Sequence, residues 1–416
     1  MFQQIFGSLV TNPELVSYFK TMYIIVSYCS FIWAPLILMT MATRLWLEYV
    51  RMNFIKKNFS FVLLEIKIPR IIDKTPAAME LVLQTMYQSS TGTWYDRWWL
   101  GKVKPWFSLE IVSAEGVVKF FIYTPKKFRG LIESHLYAQY PDIEVHEVPD
   151  YVSLAPYMHE KEKWSIFGAE FGLSKEDFYP IKTYVDYGLD SIQIKEEQKS
   201  DPITSTIEFM GSMGRGEHFW LQILIQATGD RFHDPKKGWM WWKQRGWKDT
   251  AKDGLKKLTE KKDKEGKTVK VDQTKRQQEV VNAIERSIAK LGFDSGIRAI
   301  YLAEGEHFNG ANISGLMGIM RPYGSHDLNG FKPTLNTSFD FPWQDWNGIR
   351  ANKLKKKIFN AYVRRSYFFA PYKKKPYVLN TEELATIFHF PGGVAETPTF
   401  TRVEARKGEP PANLPI

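Results

Sequence analysis

Few residues in this chain have the type and spacing that chemistry requires, and each shortfall has a physical reason. His146-Glu147 opens like the zinc-binding H-E-x-x-H helix, which needs a second histidine one turn on, but position 150 is Asp. The eight histidines are otherwise scattered, and His135 falls on a predicted apolar helix stripe, where it reads as a core residue. Ser287-Ile-Ala-Lys290 spells the S-x-x-K of a nucleophilic serine, but it lies on a polar helical stretch, and so short a pattern arises by chance. Gly266-Lys267-Thr268 resembles the end of a phosphate loop. That loop needs an earlier glycine so that its backbone wraps the phosphates, and Lys261 stands there with no apolar strand leading in. The glycine-rich GSMGRGEH joins a helix to a strand, whereas a dinucleotide loop runs from strand to helix. The single Cys29 leaves no intramolecular disulfide and no cysteine-based zinc site. The expectation is a chain that is not an enzyme, with no catalytic residue, cofactor or metal.

The residues that stand out are aromatic and basic. Trp239, Trp241, Trp242 and Trp247 are interleaved with Lys243, Arg245 and Lys248, and a lysine-rich run follows. Three readings fit. The arm lies on an anionic membrane surface, at about 1 kcal/mol per well-placed Lys or Arg. It contacts nucleic acid by stacking and phosphate pairing. Or its tryptophans pack on the domain and its lysines are solvated. Residues 231–276 hold 16 Lys/Arg and 7 Asp/Glu, and 353–375 hold nine basic residues and no acidic one. With a total of +10, the rest of the chain sums to −8, so two patches carry the positive field. In the second patch Phe359, Tyr362, Phe368 and Phe369 read as a packed face. The strand GVVKFFIY lacks the lead-in of an RNA-recognition sheet.

Between Lys20 and Arg44 lie 23 uncharged residues, about 34 Å as a helix, against a hydrocarbon core of about 30 Å. The anchoring side chains are Met22, Ile24, Ile25, Val26, Phe31, Ile32, Trp33, Leu36, Ile37 and Leu38. Aromatic residues flank both ends, and Pro35 is tolerated in a span. A cleaved signal and a buried core helix are the rival readings, although no small-residue cleavage site follows. Arg44, Arg51, Lys56 and Lys57 on the distal flank predict a single-pass protein in the cell membrane, its N-terminus outside and its bulk in the cytoplasm.

After the anchor the hydrophobic period changes. Val62, Leu64, Ile66 and Ile68 alternate; Thr75-Pro76 opens a helix with Met79, Val82, Leu83 and Met86 on one face. Phe107, Leu109 and Ile111 alternate next, Glu115-Gly116 turns the chain, and Val118, Phe120 and Ile122 follow. Thr124-Pro125 repeats the capping chemistry before a stripe of Phe128, Leu131, Ile132 and His135, and IEVHEV ends the pattern. This order is a ferredoxin-like β-α-β-β-α-β. A second copy uses SIFGAEFGL, a helix opened at Asp201-Pro202, FWLQILIQ, GIRAIYLA and a helix with Ile313, Leu316, Met317 and Met320. The basic insertion and a helix striped by Val280, Ile284, Ile288 and Leu291 separate its central strands.

The predicted fold class is therefore α+β, one transmembrane helix followed by two ferredoxin-like units, the second with a basic insertion. The expected boundaries are a short extracytoplasmic segment 1–20, the span 21–43 and a juxtamembrane basic segment 44–60. Then come a first domain 61–150, a second 151–345 with insertion 231–276, a basic helical region 346–390 and a Pro-rich tail 391–416.

The stretches FVLLEIKIPR, FSLEIVS, TPKKFRGLIESHLYAQYPDIEVHEVPDY, GIRAIYLA, LNGFKP and LNTEELATIFHFPG resemble the N-terminal half of membrane-anchored ATPases of the conjugative-transfer, or type IV secretion, type from candidate-phyla bacteria. In fused members a segment similar to ARKGEPPANLP leads into a RecA-like motor. The resemblance implies a non-catalytic membrane platform that docks a separate P-loop ATPase through Pro410, Pro411, Leu414 and Pro415, or else a truncated chain. Ring-forming motors imply a homo-oligomer. The rival functions are a membrane-associated nucleic-acid binder acting through the Trp/Lys insertion, and a scaffold with no motor partner.

Overall fold

The computed structural model describes residues 13–69, 72, 74–155, 157, 163–190, 201–229, 232–233, 244–262, 268–270, 273–339 and 341–392. The chain divides into two compact units, Met1–Asn58 with Thr91–Val103, and Phe59–Ser90 with Lys104–Ile416.

The first unit carries helices α1 (Pro13–Tyr28) and α2 (Ser30–Asn58). The expected continuous span over 21–43 is thus broken at Cys29. There the Cys29 carbonyl accepts from both Ile32 N at 3.0 Å and Trp33 N at 3.3 Å, a tightened turn one step before Pro35 removes a donor from the ladder. The Trp33 indole donates to the Val26 carbonyl at 3.2 Å across the break. Thr21, Thr40 and Thr43 return their hydroxyls to carbonyls of their own helices at 2.8–3.0 Å, so these polar groups are satisfied without water.

The second unit begins with β1 (Phe61–Lys67), α3 (Ala77–Thr85), β2 (Trp106–Ala114), β3 (Val117–Pro125), α4 (Arg129–Gln139) and β4 (Glu144–Val148). It continues with β5 (Trp164–Leu173), α5 (Pro202–Gly211), β6 (Glu217–Ala227), α6 (Trp247–Thr259), α7 (Lys275–Ala289), β7 (Gly292–Glu304), α8 (Ala311–Gly318) and β8 (Phe331–Asn336). The last elements are α9 (Ile349–Val363), β9 (Tyr377–Asn380) and α10 (Thr381–Ile387). Among the described residues nine strands form one sheet in the order β8-β5-β7-β6-β2-β3-β1-β4, with β9 paired to the start of β7. Every pairing in it is antiparallel. The halves β1–β4 and β5–β8 have the same internal order, fourth-first-third-second, and meet where β2 pairs β6 from Trp106↔Gln226 to Ala114↔His218.

Strand alternation builds the two faces. Val62, Leu64, Ile66, Phe107, Leu109, Ile111, Phe120, Ile122, Phe219, Leu221 and Ile223 enter one core with Met79, Val82, Leu83, Ile203, Ile207, Leu316 and Leu384 of the covering helices. The opposite positions Leu63, Val112, Phe121, Trp220, Ile300 and Leu302 pack with Tyr151, Ile358, Phe359 and Tyr362. Central strands are consequently buried on both sides, as β6 is over its whole length.

Several local expectations need correction. No side-chain cap forms at the start of α3, where Pro76 itself holds the cap position. Thr124 and Pro125 end β3, and a 3-10 turn over Lys126–Phe128 precedes α4. Leu131 is exposed and His135 half-buried, because α4 turns Ile132 and Leu136 inward instead. Asp201 does cap α5, accepting from Ile203 N at 3.0 Å, with Pro202 in the first turn. The region 346–390 is not simply helical. Tyr377–Asn380 adds a strand to the sheet, and a reciprocal capping box of Asn380 with Glu383 starts α10 inside the core.

Candidate functional site

The ten predicted anchor residues are all exposed within the chain, from 43% at Ile24 to 74% at Phe31. Soluble monomers seldom leave more than a few hundred Å² of contiguous apolar surface uncovered. α2 is long and apolar enough to cross a membrane, and none of its apolar window is buried. Length and composition of this kind fit a signal sequence as well as an anchor.

Beside the far end of α2, in the same unit, lies a turn that sequence reasoning missed. Trp46 donates its indole N–H to the Trp98 carbonyl at 3.1 Å and meets the Trp99 ring edge-on at 5.7 Å. Gly101 has φ +67, and a Cβ there would enter the backbone of Val50 and Arg51, so only glycine allows this approach. The short helix Trp94–Trp98 starts with a capping box in which Asp96 accepts from Thr93 N at 2.7 Å. Trp94, Tyr95, Trp98, Trp99 and Leu100 nevertheless remain 38–60% exposed. The signal was present in TWYDRWWLGK, five large apolar or aromatic residues in seven positions between two regular elements.

The insertion is divided. Trp247 is removed from the proposed contact arm, because it is 7% exposed and packs with Phe178, Ala251, Ile284 and Val378. Its indole lies where a Cβ on Gly292 would sit. Lys248 is half-buried with its ammonium 5.9 Å from the Trp247 ring centre. Arg245 belongs to a two-residue strand, Gln244–Arg245, paired with Phe232–His233. Trp239, Trp241, Trp242 and Lys243 lie outside the described residues, as do Pro410, Pro411, Leu414, Pro415 and the pair Gly266-Lys267.

The other patterns are occupied by the chain itself. In GSMGRGEH the amides of Gly214 and Gly216 donate to Glu217 and Glu115 at 2.7 and 3.0 Å, filling the nest an anion would need. Ser287 accepts from Asn380 at 2.9 Å while Lys290 pairs with Glu80 at 2.8 Å. His146 faces Glu144 at 3.0 Å, and Glu147 pairs with Arg129. No cluster of three or more His, Cys, Asp or Glu able to hold a metal occurs among the described residues.

Two buried polar groupings do exist. On the α9 side of the sheet, register aligns Glu110, Gln222, Arg298 and Glu170 on adjacent strands. Arg365, following α9, grips Glu110 through Nε at 3.1 Å and Nη2 at 3.2 Å and also pairs with Asp150. Ser108, Tyr151 and Gln222 donate to the same carboxylate at 2.6, 2.7 and 2.8 Å. Burial opposes the Arg365 charge, but Glu110 and Asp150 outweigh it and raise its pKa. Burial lowers that of Arg298, whose Nη2 donates to the Ser366 carbonyl at 2.9 Å and stands 3.5 Å from Glu170.

On the helix side, Glu80 accepts from Tyr184 at 2.6 Å and Lys290 at 2.8 Å, and Glu382 from Thr183 at 2.6 Å and Arg286 at 3.0 Å. Glu383 accepts the amides of Ile181 and Asn380 at 2.9 and 2.8 Å, yet its burial pushes its pKa up to about 8. His389 sits between Asp201 and the Ala385 carbonyl at 2.9 Å each. Burial pulls its pKa down, but the Asp201 charge prevails and the net direction is up. These groups tie distant segments together, although among the described residues Gln222 Oε1 and Arg298 Nε and Nη1 are buried without a hydrogen-bond partner.

No curated protein matches this chain. A domain of unknown function, DUF8128, matches residues 69–402, from just after β1 to beyond α10. That span includes every strand of the sheet except β1 and all its covering helices, and on this match the chain belongs to the DUF8128 family of domains of unknown function.

Proposed function

We propose that this chain is a non-catalytic, membrane-anchored platform of a conjugation- or type IV secretion-like system, working with a P-loop translocation ATPase. α1 and α2 hold it in the bilayer. The positive flank Arg44, Arg51, Lys56 and Lys57 directs the sheet-bearing unit to the cytoplasm. The observation that carries the anchor is the set of ten large apolar side chains, every one at least 43% exposed. The non-catalytic reading draws support from six of the buried carboxylates: Glu65, Glu80, Glu110, Glu217, Glu382 and Glu383 each accept hydrogen bonds or ion pairs from the same chain, and Glu170 pairs with Arg298 and Lys374.

The sheet-bearing unit is, in this reading, a duplicated ferredoxin-like β-α-β-β-α-β fused edge to edge. The repeated strand order in β1–β4 and β5–β8 favours it. The nucleic-acid alternative is weakened by the burial of Trp247. The experiment is affinity capture of the detergent-solubilised protein with mass spectrometry of what is retained. A stoichiometric P-loop ATPase supports the platform; repeated capture without one rejects that partnership and leaves a motor-independent scaffold.

A further inference from the structure

The geometry points to a second membrane contact: the turn Thr91–Val103 is an interfacial anchor that seats Trp94, Tyr95, Trp98, Trp99 and Leu100 in the headgroup layer of an anionic bilayer. This rests on the reading of α2 as a bilayer-embedded helix and assigns the turn to the same membrane.

Depth is the first argument. The uncharged run of the span ends at Thr43, and Trp46 stands three residues beyond it, about 4.5 Å along a helix. The headgroup zone extends the hydrocarbon core by about 5–8 Å on each side. Trp46 therefore sits at headgroup level. Because the Trp98 carbonyl and the Trp99 ring are fixed to Trp46, the turn is held at that level too. Indole and phenol rings with an apolar body and a polar edge favour this layer over both hydrocarbon and water.

Rigidity is the second. The Thr93–Asp96 capping box and the close approach of Gly101 to Val50 fix the turn's backbone, so the exposed rings pay little ordering entropy on meeting a surface. Charge is the third. Residues 44–58 and 91–103 contain six Lys/Arg and two Asp/Glu, and one of those acids, Asp96, is occupied by Thr93. A local excess of cations beside aromatic rings matches anionic phospholipid headgroups.

The test uses full-length protein in vesicles, with Cys29→Ser as the background and a bimane label on Trp94→Cys, on Tyr95→Cys, or on Ile37→Cys as a span control. Quenching is compared for lipids carrying a nitroxide at acyl carbon 5 and at carbon 12. Labels at 94 and 95 are expected to be quenched at least twofold more by the shallow nitroxide, and more strongly in phosphatidylglycerol-containing vesicles than in pure phosphatidylcholine. The label at 37 is expected to favour the deep one. Quenching of 94 and 95 by aqueous iodide alone, with 37 still quenched by lipid, overturns the interfacial turn and leaves the anchor standing. Absence of lipid quenching at all three positions removes the anchor, and this inference with it.

Discussion

The N-terminal helices and the sheet-bearing unit are inverted in what they hide. α1 and α2 leave Phe31, Leu38 and Met22 at 74, 64 and 63% exposure, while the sheet closes over Arg298 at 0% and Arg365 at 1%. Folding in water explains the second but not the first. A buried guanidinium is tolerable when a carboxylate and carbonyls of the same chain meet it. Apolar helix surface left in water has no such compensation among the described residues of its own unit. The proposed membrane anchor rests on this contrast.

The strongest way to break this contrast is to put charge into the anchor. Leu36→Arg with Ile37→Arg should prevent stable insertion, at about 2.5–3.5 kcal/mol for each arginine at the span centre, read as loss of the protein from carbonate-washed membranes. The converse is to take charge out of the sheet. Arg365→Met leaves Glu110 buried with its main cation gone and should cost about 3–5 kcal/mol in chemical denaturation. Adding Glu110→Gln should recover part of that loss, because the orphaned charge is removed. Trp247→Ala should cost about 3–5 kcal/mol as a core truncation.

A pH series sharpens the same comparison, since among the described residues the buried carboxylates and the buried His389 belong to the sheet-bearing unit. The raised pKa of His389 makes its contribution complete below 6.5 and lost as pH climbs through the folded value. Glu383 acts in the same direction, its contribution fading from 4.5 up to about 8. Asp201 acts oppositely: its lowered pKa makes its contribution complete above 3.8 and lost as pH falls further. Stability should therefore decline between pH 5 and 8, and His389→Gln with Glu383→Gln should flatten that decline. Asp201→Asn keeps the helix-cap acceptor but should lower the His389 pKa, because the Asp201 charge that opposes burial is lost; NMR titration of His389 reads it. The smallest effect is expected from Lys248→Ala, within about 0.5 kcal/mol, as for most surface substitutions.

Local pattern made much of the sheet readable. Glu115 and Gly116 turn the β2–β3 hairpin with φ of 52 and 84, and Met79, Val82, Leu83 and Met86 are all buried as their spacing implies. The same alternation puts Glu110 and Gln222 on the opposite face, where both are buried. What covers that face comes from Tyr151 and from α9, the latter more than a hundred residues away in sequence, and no strand period encodes it. The broken span is a local miss: Pro35, read as tolerated in a continuous helix, follows the tightened turn at Cys29. For Trp247, where three readings stood open, burial favours the packed one. A tryptophan among lysines looks the same in sequence whether its ring faces lipid or, as here, Phe178 and Ile284.

The most direct measurement is fractionation of the full-length chain, with its N-terminus sequenced from the recovered protein. The account predicts that it stays with membranes through alkaline carbonate, leaves only in detergent, and retains residues 22–38. A monodisperse protein free in buffer, or one beginning downstream of Thr43, would contradict it.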